Sequence, residues 1–222
     1  MNLQRYQYKQ AGSPSKYEFY SEGPVRHIQK IVEFQPLFSP GLPFYNLCFG
    51  DWNEKTQTID DTAITNNGDA EKVLATVATI VVEFTCIFEQ ATVYAEGSNL
   101  ARTRRYQIGI NRFLNEIGEI FNVYGYVDEC WEPFRKNINY QAFSIRRKKY
   151  LTLEEPNEPY MATSSDNNKK KTGEKIENWP YSNVCTADLS KDPVFAKKTE
   201  KARKFLEKHP LPKEFYPEGY QG

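Results

Sequence analysis

A predicted strand-to-helix corner at residues 96–106 holds the residue types best suited to binding an anion. The segment reads EGSNLARTRRY, so a Gly-Ser pair ends an apolar run and three arginines follow it. A glycine corner that leads into a helix leaves backbone N–H groups unpaired, and the helix dipole favours negative charge there. Gly97 and Ser98 therefore predict a cradle for a phosphate or another anion. The ordinary alternative is that Ser98 or Asn99 only caps the helix.

The arginines after this corner strengthen the prediction. Arg102, Tyr106 and Ile110 recur every four residues and would form one column on a helix, along its apolar stripe. Arg102 would then lie at the buried edge, where a charge is costly unless it is paired or used. Arg105 lies next to this column, so the pattern predicts a ligand-binding role for Arg102, Arg105 and Tyr106. The alternative is an ion pair between Arg102 and one of three carboxylates: Glu96, Asp51 or Asp69.

A second polar cluster lies in the sequences GDWN, IDD and NNGD, and it contributes Asp51, Asn67 and Asp69 as candidate ligand-binding residues. Paired carboxylates can bind a metal or perform acid–base catalysis. These sequences are also common in turns and helix caps, however, and that interpretation is favoured. The cluster therefore predicts no metal site.

Cysteine and histidine patterns argue against zinc and against nucleophilic catalysis. The cysteines are Cys48, Cys86, Cys130 and Cys185, and the histidines are His27 and His209. They form no CxxC pair and no set at ligand spacing. The sequence also contains neither a P-loop nor a GxGxxG motif. It therefore indicates no cofactor, and it leaves open whether the protein is an enzyme.

Charge and hydropathy predict a cytoplasmic protein without a membrane partner. Lys and Arg together number 29, as do Asp and Glu, so the formal net charge is zero. Binding of RNA or a nucleotide would therefore need a local basic patch. No signal peptide opens the sequence. The longest apolar stretch, residues 73–88, is too short and too polar to span a bilayer.

Residues 1–150 are predicted to form an α+β domain, because alternating β-branched and aromatic stretches are interspersed with two stretches of helical spacing. The predicted strands cover residues 15–23, 26–37, 44–52, 91–96, 122–128 and 140–148, and the predicted helices cover residues 66–90 and 99–121. The second helix has an apolar stripe of Tyr106, Ile110, Phe113, Ile117 and Ile120. The order βββαβαββ predicts a mixed, mainly antiparallel sheet with both helices on one face.

The composition changes after residue 150. Residues 151–178 contain few large apolar side chains, so they are predicted to form a flexible linker. Residues 179–222 form a predicted tail, in which Asp192 and Pro193 open an amphipathic helix at 192–208. Such a helix is marginal alone in water. Its apolar stripe, which includes Phe195, Phe205 and Leu206, is therefore predicted to pack on the 1–150 domain or on another chain, which leaves a homo-oligomer open.

Spaced motifs carry a family resemblance over about residues 5–149. They are SEGPVRHIQKIVEF, FYNLCFGDWN, IDD, NNGDAEKVLATVA and VYAEGSNLARTRRYQIGI. Together they resemble a family of uncharacterised proteins, a domain of unknown function seen mostly in Bacteroidetes. The tail from Met161 resembles small companion proteins of that family. The resemblance implies a bacterial protein fused to its companion, but it implies no activity.

Three functions are compatible with these features. In the first, residues 1–150 are a toxin-like effector that acts on RNA or a nucleotide through Gly97, Ser98 and Arg102, and the tail is its regulatory partner. Alternatively, these residues are an anion-binding or adaptor module without catalysis. The third is a small-molecule enzyme that uses Asp51 and Asp69, and the absence of a His or Cys constellation weighs against it.

Overall fold

The computed structural model describes residues 4–24, 26–38, 42–61, 67–148 and 192–216. The strands are β1 Tyr8–Gln10, β2 Lys16–Glu22, β3 His27–Pro36, β4 Phe44–Asn53, β5 Thr58–Asp60, β6 Thr92–Ala95, β7 Phe121–Val127, β8 Cys130–Pro133 and β9 Ala142–Arg147. The helices are α1 Ala70–Ile87, α2 Leu100–Arg112, α3 Leu114–Ile120 and α4 Pro193–Lys208, and a 3-10 turn at Lys213–Phe215 follows α4.

The strands form one mixed, mainly antiparallel sheet. Its order is β1-β2-β3-β4-β6-β9-β7-β8, and β5 pairs with the carboxyl end of β4. Among the described strands, β4 and β6 are the parallel pair. Parallel strands need a crossover connection, which here contains α1. The carboxyl ends of β4 and β6 therefore point the same way, and α2 begins shortly after the end of β6.

Helices α1, α2 and α3 cover one face of the sheet, and α4 covers the other. Val93, Ile145 and Val123 pair in register on β6, β9 and β7, so they point to one face. On that face Val93 packs with α1, and Val123 packs with α2 and α3. The neighbouring Tyr94 and Tyr124 point the opposite way and pack with α4 and the 3-10 turn.

The structure confirms the predicted α+β fold and the tail helix, with three differences in detail. Strands β1, β5 and β8 were not predicted, because three or four residues are too few to show a clear alternation. The predicted helix 99–121 is two helices, since Phe113 leaves helical geometry between α2 and α3. The fully buried side chains of α2 are Thr103 and Gln107, whereas the predicted stripe is only partly buried. The predicted linker lies outside the described residues.

Candidate functional site at the start of α2

The corner before α2 uses its polar groups to begin the helix. Asn99 occupies the N-cap position, and its Oδ1 accepts a hydrogen bond from a backbone N–H of the first turn (3.0 Å). The Gly97 N–H donates to Oγ1 of Thr103 (3.1 Å), and the Ser98 hydroxyl donates to the Asp61 carbonyl oxygen (2.9 Å). Asn99 is therefore the cap, and the Gly97 N–H is already engaged within the protein.

Gly97 brings the end of β6 directly against α2. A Cβ at this position would fall inside contact distance of the Thr103 backbone nitrogen and 2.8 Å from the carbonyl carbon of Arg102. Both are backbone atoms, so the helix would have to move to make room. The glycine predicted for an anion cradle thus serves close packing between strand and helix.

Asp51, at the carboxyl end of β4, interacts electrostatically with two cations. Its carboxylate forms an ion pair with Lys30, which is its in-register neighbour on β3. Burial raises the pKa of Asp51 above its usual range, and the charges of Lys30 and Arg102 oppose that rise. Asp60, the in-register neighbour on β5, adds to the rise. The structure therefore brings the predicted residues Asp51 and Arg102 close enough for their charges to interact.

Lys30 is absent from the predicted site, although the sequence contains a signal for it. Lys30 is in phase with Val32 and Phe34 along β3, and both of those side chains are buried in the core. Strand alternation therefore places this lysine on the apolar face, where its charge needs a partner. Asp51 is that partner.

Helix α2 carries four arginines and no acidic residue. They are Arg102, Arg104, Arg105 and Arg112. Arg104 donates to Oδ1 of Asn139 (2.8 Å), and Arg112 pairs with Glu71 of α1 (2.7 Å). Arg105 is exposed. The outer side of α2 is therefore basic.

Two aliphatic side chains lie among these arginines and are largely exposed to solvent. Leu100 is 79 % exposed and Ile108 is 54 % exposed. They are eight residues apart, so they share one side of the helix with Arg104, which lies between them. This side of α2 combines positive charge with exposed apolar surface.

Asn67 and Asp69 form a hydrogen-bond network that is separate from the ion pair of Asp51 with Lys30. The Asp69 carboxylate accepts hydrogen bonds from the hydroxyls of Tyr6 (2.8 Å) and Ser21 (2.5 Å). Asn67 donates through Nδ2 to Ser21 (3.0 Å) and to the carbonyl oxygen of Arg26 (2.9 Å). Asp69 occupies the N-cap position of α1 but makes no side-chain cap hydrogen bond, because its carboxylate is turned to these hydroxyls.

Tyr106 takes part in packing. It is partly buried in the cluster that α2 and α3 form with β7 and β9, which includes Phe121 and Phe143. Arg102 and Tyr106 therefore share a helix face, as their spacing predicts, but Tyr106 contacts the core.

Helix α4 reaches the residue that precedes this corner. Lys201 forms an ion pair with Glu96 (2.7 Å), and the Tyr94 hydroxyl donates to the same carboxylate (3.0 Å). Glu96 is followed directly by Gly97. Helix α4 therefore contacts the first residue of the segment that leads from β6 into α2.

The sequence matches one family over residues 2–148, which is more than half of the chain. The chain belongs to the Family of unknown function (DUF6934). This confirms the resemblance to a domain of unknown function. No curated protein and no solved structure matches the chain.

The described part of the DUF6934 chain contains neither a cluster of metal ligands nor a membrane-spanning helix. Among those residues, no group of three His, Cys, Asp or Glu side chains could hold a metal ion. Within the same ranges, no helix is both long and apolar enough to cross a membrane.

Proposed function

We propose that the DUF6934 domain is a non-catalytic binding module for an anionic ligand, such as RNA or a nucleotide, and that α2 forms the binding surface. The observation that carries the proposal is the charge of α2, which has four arginines and no acidic residue in thirteen positions. Three of these arginines lie in the N-terminal half of α2, where positive charge opposes the helix dipole and is costly unless an anion uses it.

The position of α2 relative to the parallel strands of the sheet supports this proposal. In sheets with parallel strands, ligands bind beyond the carboxyl ends of those strands. The carboxyl end of β6 leads through Gly97 and Ser98 into α2, and the carboxyl end of β4 carries Asp51. Arg102 is partly buried and its charge acts on Asp51, whereas Arg105 is exposed.

Side chains, rather than backbone N–H groups, would provide the affinity. The Gly97 N–H is engaged by Thr103, and Asn99 caps the first turn. Guanidinium groups bind phosphate through two parallel hydrogen bonds and suit this role. The exposed Leu100 and Ile108 would add apolar contacts to the same ligand.

The test measures binding of a fluorescein-labelled single-stranded RNA of about 12 nucleotides to the full chain by anisotropy. Arg105→Ala is expected to weaken binding by at least about 10-fold, since a charge-assisted hydrogen bond contributes about 1.5–3 kcal/mol. Arg112→Ala is the control within α2, because Arg112 is already paired with Glu71 and its loss should change the affinity by less than about threefold. Equal affinities for both variants and the unchanged chain would overturn the proposal.

A second function is favoured by the ion pair between Lys201 and Glu96. In this proposal the domain is an intracellular bacterial effector, fused through residues 161–222 to its regulatory partner. The ion pair links the tail to the corner that leads into Arg102. Lys201→Ala would then slow the growth of cells that express the full chain, and adding Arg102→Ala would restore it. Growth equal to that with Lys204→Ala, an exposed lysine of the same helix, would contradict this function.

A further inference from the structure

The sheet face opposite α1, α2 and α3 is covered by residues that lie outside the family match. The acceptor face is formed by Ile31, Cys48, Ile59, Tyr94, Tyr126 and Ala142, all buried. The docking segment that packs on it is residues 192–216. The residues of the acceptor face lie within residues 2–148, the range that the family match covers, whereas the docking segment lies beyond that range. The family domain therefore carries an apolar surface that something beyond its own extent must cover.

The apolar side chains of the docking segment recur at a spacing that lets them contact the acceptor face. Phe195 packs with Ile31, Cys48 and Ile59, and it is fully buried. Ala202 and Leu206 pack against the part of the face that contains Tyr94 and Tyr126. After the helix, Leu211 and Phe215 are buried in the same cluster as Ala202 and Leu206.

Polar contacts at the start and middle of the segment fix its register on the sheet. Asp192 accepts a hydrogen bond through Oδ2 from the Ile59 N–H (3.1 Å). Thr199 accepts one from Nδ2 of Asn46 (3.1 Å) and donates one to Oε1 of Gln35 (2.5 Å). A shift of the helix by one residue would leave these buried groups unpaired, which is costly.

Polar contacts after the helix bind the main chain of the segment. The Trp131 indole N–H donates to the carbonyl oxygen of His209 (3.0 Å). The guanidinium of Arg146 donates to the carbonyl oxygen of Glu214 (2.9 Å). Some domains that bind separate peptide ligands likewise combine main-chain hydrogen bonds with pockets for apolar side chains.

We propose that the acceptor face is a docking site for a helix-and-turn segment and accepts that segment from a separate polypeptide. The partner has an Asp-Pro helix start, an aromatic residue three positions after the Asp and a Thr seven positions after it. A small residue and a Leu follow at ten and fourteen positions, and then a Pro-Leu-Pro turn with a final Phe. In this chain the partner segment is attached, which raises its effective concentration to about the mM range. The site is distinct from the arginines of α2.

The experiment uses the full chain with a protease site inserted within residues 161–172, cleaved after folding. Gel filtration then tests whether the two parts stay together. Fluorescence anisotropy tests whether a labelled synthetic peptide of residues 189–217 exchanges into the cleaved protein. We expect co-elution and exchange. Unfolding or aggregation on cleavage, or co-elution without exchange, would overturn the proposal, because the segment would then be a fixed part of the core.

Variants placed in the peptide leave the folding of the protein unchanged. A Phe195→Ala peptide is expected to bind at least about 100-fold more weakly, since it loses a buried aromatic anchor. A Lys204→Ala peptide is the control and should bind within about threefold of the native peptide, because Lys204 is exposed. Equal binding of both peptides would contradict recognition by the acceptor face. Concentration-dependent dimers of the uncleaved chain would instead identify a second copy as the partner and overturn the proposal.

Discussion

Lys30 and Asp51 face each other on β3 and β4 and form a largely buried ion pair, with side chains that are 6 % and 15 % exposed. The charge of Arg102 also acts on Asp51, so the pair links the sheet to the basic helix α2. Breaking a buried pair leaves one charge without compensation, which costs more free energy than the intact pair contributes. This pair therefore connects the stability of the fold with the position of the candidate site.

Asp51→Asn is expected to lower the free energy of unfolding by about 3 kcal/mol, because Lys30 would remain buried and unpaired. The double variant Lys30→Met with Asp51→Asn should lose less than the sum of the two single variants. Urea denaturation measures all three. Glu207→Gln, which affects an exposed pair with Arg203, is the control and should change stability by less than about 0.5 kcal/mol. A loss at Asp51 no larger than at Glu207 would contradict this prediction.

Gly97→Ala is expected to destabilise the protein by about 3 kcal/mol, because its Cβ would collide with backbone atoms of α2. Gly109→Ala, within α2 itself, is the control. No atom lies within 4 Å of a Cβ at Gly109, so that change should stabilise the protein by about 1 kcal/mol. Thermal unfolding followed by circular dichroism compares the two variants. The same shift of Tm in both would show that Gly97 is not closely packed.

Alternation and helical spacing were sufficient to predict most of the fold. The long strands β2, β3 and β4 and the helix α1 have clear periodicity, and Asp192 with Pro193 predicted the start of α4. The sequence did not show that Phe113 ends α2, because Phe113 continues the apolar spacing. The break lies in the backbone dihedral angles of Phe113, which are not helical, and residue types do not reveal those angles.

The candidate site was harder to predict, because its geometry depends on strand pairing. Asp51 and Asp69 were grouped by residue type, but pairing places Asp51 beside Lys30, whereas Asp69 meets Ser21. No local pattern reveals which strands become neighbours. The in-phase position of Lys30 on β3 is a sequence signal that predicts a buried cation.

Asp192→Ala is expected to lower the free energy of unfolding by about 3 kcal/mol, the sum of a lost helix cap and an unpaired buried N–H. Its Oδ1 accepts from the N–H groups of Val194 and Phe195, and its Oδ2 accepts from the Ile59 N–H. Asp192→Asn keeps one acceptor oxygen and should lose about half as much. Hydrogen exchange of the α4 amides would show where the loss occurs. If the α4 amides were equally protected from hydrogen exchange in Asp192→Ala and in the unchanged chain, the role of this cap would be contradicted.

Stability is expected to fall between about pH 10 and pH 12, because several tyrosines resist ionisation in the folded chain. Burial raises the pKa of Tyr6 and Tyr17 from 10.0 to about 12, and a hydrogen bond to Glu214 is the main cause of a similar pKa of about 12 at Tyr124. A folded pKa above the unfolded pKa means that the stabilisation is complete below about pH 10 and is lost as the pH rises to about 12.

Absorbance of tyrosinate and far-ultraviolet circular dichroism, recorded across this pH range, measure the effect. Ionisation of these tyrosines should coincide with the loss of secondary structure. Tyr124→Phe removes one of the groups, so its unfolding free energy should decrease less steeply between pH 10 and 12 than that of the unchanged chain. Ionisation of all tyrosines with a midpoint near pH 10, while the secondary structure stays intact, would contradict the raised pKa values, because these hydroxyls would then be as accessible to solvent as in the unfolded chain.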